Sequence, residues 1–296
     1  MSGSEQRGTI IRGIGSFYTV RTPEGDEYTL RCKKKFRHLH MTPLAGDEVL
    51  FTPGTGEEHG WIEEILERRS ECLRPPVANI TQMIIVTAPI PETDFLLTDR
   101  LIARAFAQNI RIVIAVNKSD LDPGMAERVR QEYSAAGISV LEVSAIRREG
   151  LEALAEEMRE QLNCLAGQSG VGKSTLLNAL LETDLETGDI SRKISRGKNT
   201  TRHVELLEKN GIRVMDTAGF NLLQAEKGIP PDILKERYPE FRPYEGKCRF
   251  RECLHDREPD CAVEQAASVG EIHPARLERY RILLHELKEG WRDRYD

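Results

Sequence analysis

Two rhythms of apolar and polar residues run along this chain, and the change from one to the other marks its domains. Over residues 8–21, 27–32, 47–52 and 60–66 apolar positions form short strand-like runs, broken by Pro23-Glu24-Gly25, Ala45-Gly46-Asp47 and Pro53-Gly54. Runs of this length between turn residues predict a small β-barrel, with an oligonucleotide-binding (OB) fold as the leading candidate. Leu73-Arg74-Pro75-Pro76 reads as a stiff connector that continues neither a strand nor a helix comfortably. Beyond it the apolar runs 83–88, 111–116 and 139–143 are continuous and alternate with helical stretches over 98–108 and 125–136. That alternation predicts a parallel sheet covered on both faces. Leu151, Leu154, Met158 and Leu162 carry a helix-spaced stripe into a strand at 162–166. A helix over 173–181 and a strand over 212–215 follow. Leu277, Tyr280, Leu284 and Leu287 then line one side of a final helix, 274–292, which should pack on the C-terminal module or on the central domain. The expected organisation is multidomain: a barrel over 1–72, an α/β domain over 73–222 and a third unit over 223–296.

Composition adds limits. With 296 residues, 39% of them hydrophobic, the chain can bury more than one core. No apolar run approaches the ~20 residues that cross a bilayer. Residues 1–8 are polar and lack the apolar segment of a signal peptide, so a cytoplasmic protein without a membrane partner is expected. The net charge of −6 argues against one uniformly basic nucleic-acid surface and leaves local patches. One such patch is residues 31–40, where Arg31, Lys33, Lys34, Lys35 and Arg37 surround Phe36. Lys33, Lys34, Lys35 and Arg37 are candidate RNA contacts; a solvated charged loop is the alternative.

The cysteines change the picture at the C-terminal end. Cys248-x4-Cys253-x-His255-x5-Cys261 offers three thiolates and an imidazole, the ligand set of a closed structural zinc site. A disulfide or free thiols are the alternatives. One bound Zn²⁺ would rigidify a segment too short to fold alone and would hold Arg249 and Arg251 on a knuckle, as further candidate RNA contacts. Cys32, Cys72 and Cys164 are scattered and read as small buried residues.

Phosphate chemistry centres on Gly167-Gln168-Ser169-Gly170-Val171-Gly172-Lys173-Ser174, a G-x-x-x-x-G-K-[ST] loop between a predicted strand and a predicted helix. Its backbone N–H groups, continuing into Thr175, would cradle phosphates. Lys173 supplies charge to the β- and γ-phosphates, and Ser174 can ligate Mg²⁺. Asn117-Lys118-Ser119-Asp120 selects the base. The Asp120 carboxylate can accept from both N1–H and the amino group of guanine, Asn117 braces the loop, and the Lys118 stem packs on the ring. After the next strand, Ser144-Ala145 sits where a backbone N–H would meet guanine O6. Asn199-Thr200-Thr201-Arg202 and Asp216-Thr217-Ala218-Gly219 read as state sensors. Thr201 and Asp216 would join Ser174 around Mg²⁺, and the Gly219 N–H would contact the γ-phosphate.

The base-reading motif precedes the phosphate loop, whereas an ordinary GTPase runs the other way. A site assembled from strand ends tolerates such a permutation. On Leu73-Arg74-Pro75-Pro76, Asn117 to Asp120, Gly167 to Ser174, Thr200-Thr201, Asp216 to Gly219 and the cysteine cluster, the chain resembles the ribosome small-subunit-dependent GTPase A family over nearly its whole length. These are circularly permuted P-loop GTPases with an N-terminal OB domain and a C-terminal zinc domain. The resemblance implies GTP and GDP, Mg²⁺ and one Zn²⁺ as bound species, and the small ribosomal subunit with its rRNA as partner. It implies GTP hydrolysis stimulated by that subunit during late assembly. A monomer is expected. Two departures bear on catalysis. Phe220 stands where many GTPases place a water-orienting glutamine, and Asn199 stands where this family commonly has a histidine. Asn199 can bond a water but not take its proton at neutral pH, and His203 is the nearby substitute. Chemistry would then rest on Lys173, Ser174, Thr201 and the backbone amides. The alternative is a GTP-regulated RNA-binding module with negligible turnover.

Overall fold

The computed structural model describes residues 5–33, 35–38, 41–54, 59–73, 76–183, 204–216 and 230–292. Strands β1 (Gln6–Ile14), β2 (Phe17–Arg21), β3 (Glu27–Cys32), β4 (Glu48–Thr52) and β5 (Gly60–Ile65) close in the order β1-β2-β3-β5-β4-β1. The β3–β5 pairing is parallel and the others are antiparallel, so the N-terminal unit is an OB-like closed barrel. The run 8–21 is two strands, not one, because Gly15 adopts φ +63 and lets the chain reverse in a two-residue loop. Ile10, Val20, Leu30, Val49, Phe51 and Ile62 fill the interior, each fully buried. The short helix α1 (Lys35–His38) adds Phe36, only 3% exposed. The ring among the cations therefore belongs to the barrel core and offers no face to a base. Lys34 lies outside the described residues. Lys33 is ion-paired with Glu63 of β5, and Lys35 is exposed beside the Phe36 ring.

The stiff connector, expected to continue neither a strand nor a helix comfortably, has its two ends in a hairpin. β6 (Glu71–Leu73) pairs antiparallel with β7 (Pro76–Ala78), with Arg74 and Pro75 outside the described residues. Proline is tolerated because it opens its strand, where a missing N–H costs no interior ladder bond. The central sheet runs β10 (Ser139–Glu142), β9 (Arg111–Val116), β8 (Gln82–Thr87), β11 (Leu162–Ala166), β13 (Ile212–Asp216), β12 (Glu205–Lys209). All neighbours are parallel except β12–β13. Helices α2 (Phe95–Phe106) and α3 (Met125–Tyr133) cover one face with Leu101, Ile102, Val129 and Tyr133. On the other face α4 (Leu151–Met158) and α5 (Lys173–Leu181) supply Leu154, Met158, Leu176 and Leu180. Helix α2 starts three residues before its predicted position because the Asp94 carboxylate caps it, accepting from the Leu97 N–H at 2.9 Å.

Barrel and sheet are continuous: β1 pairs with β12 through Arg12 and Glu205, giving eleven strands in one sheet. A bulge at Ile10–Arg12 turns two successive isoleucines inward. Ile10 enters the barrel core, while Ile11 joins Ala45, Val77, Leu206 and Met215 in the core of the central domain. The ion pairs Arg12–Glu205 (3.5 Å) and Arg21–Glu208 (3.3 Å) at this junction are exposed. Exposed pairs contribute about 0–1 kcal/mol each, so the shared apolar core dominates the docking.

The C-terminal unit comprises 3-10 turns Pro231–Arg237 and Pro239–Tyr244, a Cys/His loop, α6 (Ala262–Ser268) and α7 (Pro274–Arg292). Leu277, Tyr280 and Leu284 of α7 pack within the module on Tyr238, Phe241 and Ile272. Ala103 and Leu96 of α2 join this core, and α7 also meets α2 and α3 through charge. Arg276, 1% exposed, donates from Nη1 to Asp99 at 2.5 Å and from Nε to Glu240 at 2.9 Å, with its guanidinium 5.0 Å from the Tyr133 ring and 4.5 Å from the Tyr238 ring. Burial opposes this charge, and the Asp99 and Glu240 carboxylates outweigh it, holding the guanidinium firmly protonated. Arg279 also donates to Asp99, at 2.5 Å. The apolar stripe in the sequence did not announce this network, since arginines beside the stripe carry no local sign of a buried partner. Among the described residues no helix is long and apolar enough to cross a membrane.

Arg276→Ala leaves Asp99 and Glu240 buried with less compensation, and should destabilise the folded chain by about 3–5 kcal/mol. Chemical denaturation monitored by circular dichroism measures this; a change below ~1 kcal/mol would show the network to be incidental.

Candidate nucleotide-binding site and metal centre

The phosphate loop leaves β11 at Ala166 and enters α5 at Lys173, so backbone N–H groups converge at a helix N-terminus. Two glycines are dictated by neighbours. At Gly167 (φ +131) a Cβ would stand 2.3 Å from the Val86 carbonyl oxygen of β8, and at Gly172 (φ +92) one would stand 2.5 Å from Asn117 Nδ2. Val171, 1% exposed, anchors the loop in the core, while Ser169 and Gly170 form its exposed tip. Lys173 Nζ donates to the Gly167 and Gln168 carbonyls at 2.8 and 2.7 Å, which holds the ammonium across the loop. Ser174 is exposed in the first turn of α5 and Thr175 is half-buried beside it. Gln168 braces rather than faces outward: its Oε1 accepts from the Asp94 N–H at 2.9 Å and its Nε2 donates to the Glu92 carbonyl at 3.1 Å.

The guanine-reading segments arrive from β9 and β10. Asn117, 2% exposed, donates from Nδ2 to the Val171 carbonyl at 2.9 Å and accepts at Oδ1 from the Ala145 N–H at 3.1 Å. That side chain ties three loops together, and it engages the very N–H assigned to guanine O6. Lys118, in the left-handed region at φ +58, donates to the carbonyls of Ile90 at 2.6 Å and Gly170 at 2.8 Å. Its ammonium thus pins the base-reading loop to the phosphate loop, a role the motif did not disclose. The Ser144 hydroxyl donates to Asp120 Oδ1 at 2.7 Å and holds that carboxyl below the usual range, leaving it ionised and able to accept from guanine at neutral pH.

Asp216 ends β13, the parallel neighbour of β11, and so emerges beside the phosphate loop. Burial pushes its carboxyl up, with Glu205 across the ladder adding to the effect. A divalent cation beside it would reverse that balance, and Ser174 and Asp216 are the described groups that fit Mg²⁺. Asn199, Thr200, Thr201, His203, Gly219 and Phe220 lie outside the described residues.

In the C-terminal unit the ligand atoms of Cys248, Cys253, His255 and Cys261 lie within 4.8 Å of one another. His255 Nδ1 is 3.7, 3.5 and 3.4 Å from the three sulfurs, close to the ~3.5 Å separation of tetrahedral N and S ligands on one zinc ion. All three are free thiols, so the cluster is not a disulfide. The N–H groups of His255 and Ala262 each donate to a ligand sulfur, Cys253 and Cys248 respectively, at 3.4 Å. Burial pushes the Cys253 and Cys261 thiols up and the His255 imidazole down to about 4. Neutral groups in a dry cluster suit a thiophilic cation that displaces the thiol protons. Arg249 and Arg251 are exposed on this loop, with Arg249 paired to Asp260 at 3.2 Å. They are on a different domain from Lys33 and Lys35.

Together these features define a P-loop GTPase whose guanine-reading segments precede the phosphate loop in the chain, carried between an OB-like barrel and a Cys3His module. The chain belongs to the RsgA GTPase family: that family's profile matches residues 65–226, and the RsgA N-terminal domain profile matches residues 7–62. It is 47% identical to the small ribosomal subunit biogenesis GTPase RsgA of Ruminiclostridium cellulolyticum, over 96% of this chain and 94% of that one. Identity to the RsgA of Geobacillus thermodenitrificans is 45%, over 95% and 97%. Among solved structures, YjeQ from Thermotoga maritima superposes with a TM-score of 0.82 at 31% identity, covering 96% of this chain and 99% of that one. YloQ, a circularly permuted GTPase, gives 0.80 at 31% identity, with 97% and 96% covered. As a GTPase of this family the chain takes a guanine nucleotide with Mg²⁺.

Gly167→Ala forces β8 or the phosphate loop to move and should weaken GDP binding at least tenfold in a fluorescent-nucleotide titration. Gly290→Ala, in open space on α7, should leave affinity unchanged and add up to about 1 kcal/mol of stability.

Proposed function

We propose that this chain binds the small ribosomal subunit and, on binding, hydrolyses GTP to GDP and phosphate as a checkpoint in late assembly of that subunit. The observation that carries this reading is the attachment of the barrel to β12, the strand lying between the two state-sensing segments. A partner seated on the barrel would bear directly on the element that the γ-phosphate orders. The names of the RsgA relatives supply the identity of that partner.

In this reading Asp120 accepts from the guanine edge and Asn117 and Lys118 hold its loop against the phosphate loop. Lys173 and the backbone N–H groups of residues 167–175 stabilise the charge that spreads over the γ-phosphoryl oxygens during transfer. Ser174 and Asp216, with Thr201, would hold Mg²⁺, which would supply charge neutralisation to the phosphates. Phe220 offers water no hydrogen bond, so turnover is slow alone, with Asn199 or the subunit positioning the nucleophile. One Zn²⁺ on Cys248, Cys253, His255 and Cys261 would rigidify the loop that carries Arg249 and Arg251. These arginines and the barrel's Lys33, Lys34, Lys35 and Arg37 form the rRNA contacts, and the protein acts as a cytoplasmic monomer.

Phosphate release by the purified chain should rise at least tenfold with small subunits and stay flat with large subunits or with ATP; equal rates in all arms would remove the reading. Cys261→Ala should lose its zinc by elemental analysis and lose subunit stimulation, with GDP affinity retained. Zinc retention at one ion per chain would overturn the ligand assignment.

A further inference from the structure

The barrel carries an outward row that the lysine run obscures in the sequence. Its members are cross-strand partners in register: Ile14 of β1 with Phe17 of β2, Phe17 with Arg31 of β3, Arg31 with Trp61 of β5, and Trp61 with Thr52 of β4. Alternation puts them all outside, because Val20, Leu30 and Ile62 face the core. Ile14 is 54% exposed and Trp61 43%, which is unusual for large apolar side chains in one line on a small barrel. The Arg31 guanidinium lies 4.8 Å from the Phe17 ring centre, and the His59 ring meets Phe17 edge-on at 4.9 Å. Arg31 has no carboxylate partner among the described residues, whereas Lys33, just past the end of the same strand, is neutralised by Glu63. A guanidinium without a carboxylate partner among the described residues therefore sits among the rings.

We propose that Phe17, Arg31 and Trp61 form a stacking platform for unpaired bases of single-stranded RNA. Bases would lie on Trp61 and against the Phe17–Arg31 stack, and the guanidinium would also meet the backbone phosphate. Rings interrupted by a guanidinium that no described carboxylate pairs suit a ligand that alternates flat apolar faces with anionic groups. Strands two and three are also the face on which OB barrels bind oligonucleotides. An apolar protein partner would use Ile14 and Trp61 and gain little from the arginine. This proposal rests on the rRNA reading above and sharpens it from charge to stacking.

The test uses full-length protein carrying Trp291→Phe, so that Trp61 is the sole tryptophan, titrated with ten-nucleotide single-stranded RNA and, separately, with duplex RNA. Single strands should quench Trp61 emission and duplex should not. Trp61→Ala and Arg31→Ala, followed by labelled RNA, should bind about 5- to 100-fold more weakly, and Trp61→Phe should retain most affinity. Lys33→Ala should change affinity less than Arg31→Ala. Unquenched emission, or wild-type affinity in Trp61→Ala, would overturn the platform. So would loss of subunit binding in Trp61→Ala with RNA affinity intact, which would make the row a protein contact. GTP turnover is not read in these arms, so a failure of subunit-stimulated hydrolysis remains distinguishable from a failure of stacking.

Discussion

One buried amide holds the nucleotide site together. Asn117 bonds the phosphate loop with its nitrogen and the Ser144-Ala145 loop with its oxygen, and its presence beside Gly172 is what forbids a side chain there. Lys118 reinforces the join through Gly170 and Ile90. Each such bond is worth about 1 kcal/mol net, but leaving a buried amide unpaired costs about 1–3 kcal/mol, so the three loops form or fail together. This explains why the chain order of the motifs is immaterial to the chemistry. What the site needs is β9 and β11 on either side of β8, and the sheet supplies that whichever segment comes first.

The permutation does change what is attached to the switches. With the cut placed after β13, the strands flanking the state-sensing segments lie at the edge of the GTPase sheet, and the barrel continues that edge through β1. The barrel is held less by the exposed arginine pairs than by Ile11, Ala45 and Val77, which share a core with Leu206 of β12 and Met215 of β13. A shift of this hairpin therefore acts on the barrel through packed side chains, which transmit displacement poorly if loose and well if dense.

The C-terminal module is fastened differently. Its own core is small, built from Tyr238, Phe241, Tyr280 and their neighbours around the Cys/His cluster. The link to the GTPase domain joins Ala103 and Leu96 of α2 to the module's core and adds Arg276 and Arg279 on Asp99 of α2, a contact that favours one geometry because two guanidinium groups must share one buried carboxylate. Burying charge in this way adds little stability over an apolar contact, and its consequence is a defined orientation of the module. The exposed Arg249 and Arg251 are thereby presented from a fixed platform.

Much of this was determined locally and could be read along the chain. Strand and helix rhythm, the glycine loop, N-K-x-D and the Cys/His spacing each depend on residues close in sequence, so their elements and their chemistry follow from periodicity and motif. The helix at Pro274–Arg292 and the strand at Leu162–Ala166 lie where their patterns put them. Tertiary structure alone decided the remainder. Phe36 belongs to the core because the barrel needs a plug. The 8–21 run is a hairpin because Gly15 reverses it, and the connector pairs because Pro76 can open a strand. Gln168, Arg276 and the Phe17–Arg31–Trp61 row gain their roles from partners 14 to 177 positions away, through contacts that no local pattern encodes. Burial and register are properties of the assembled sheet, and only there does a residue acquire the neighbours that define what it does.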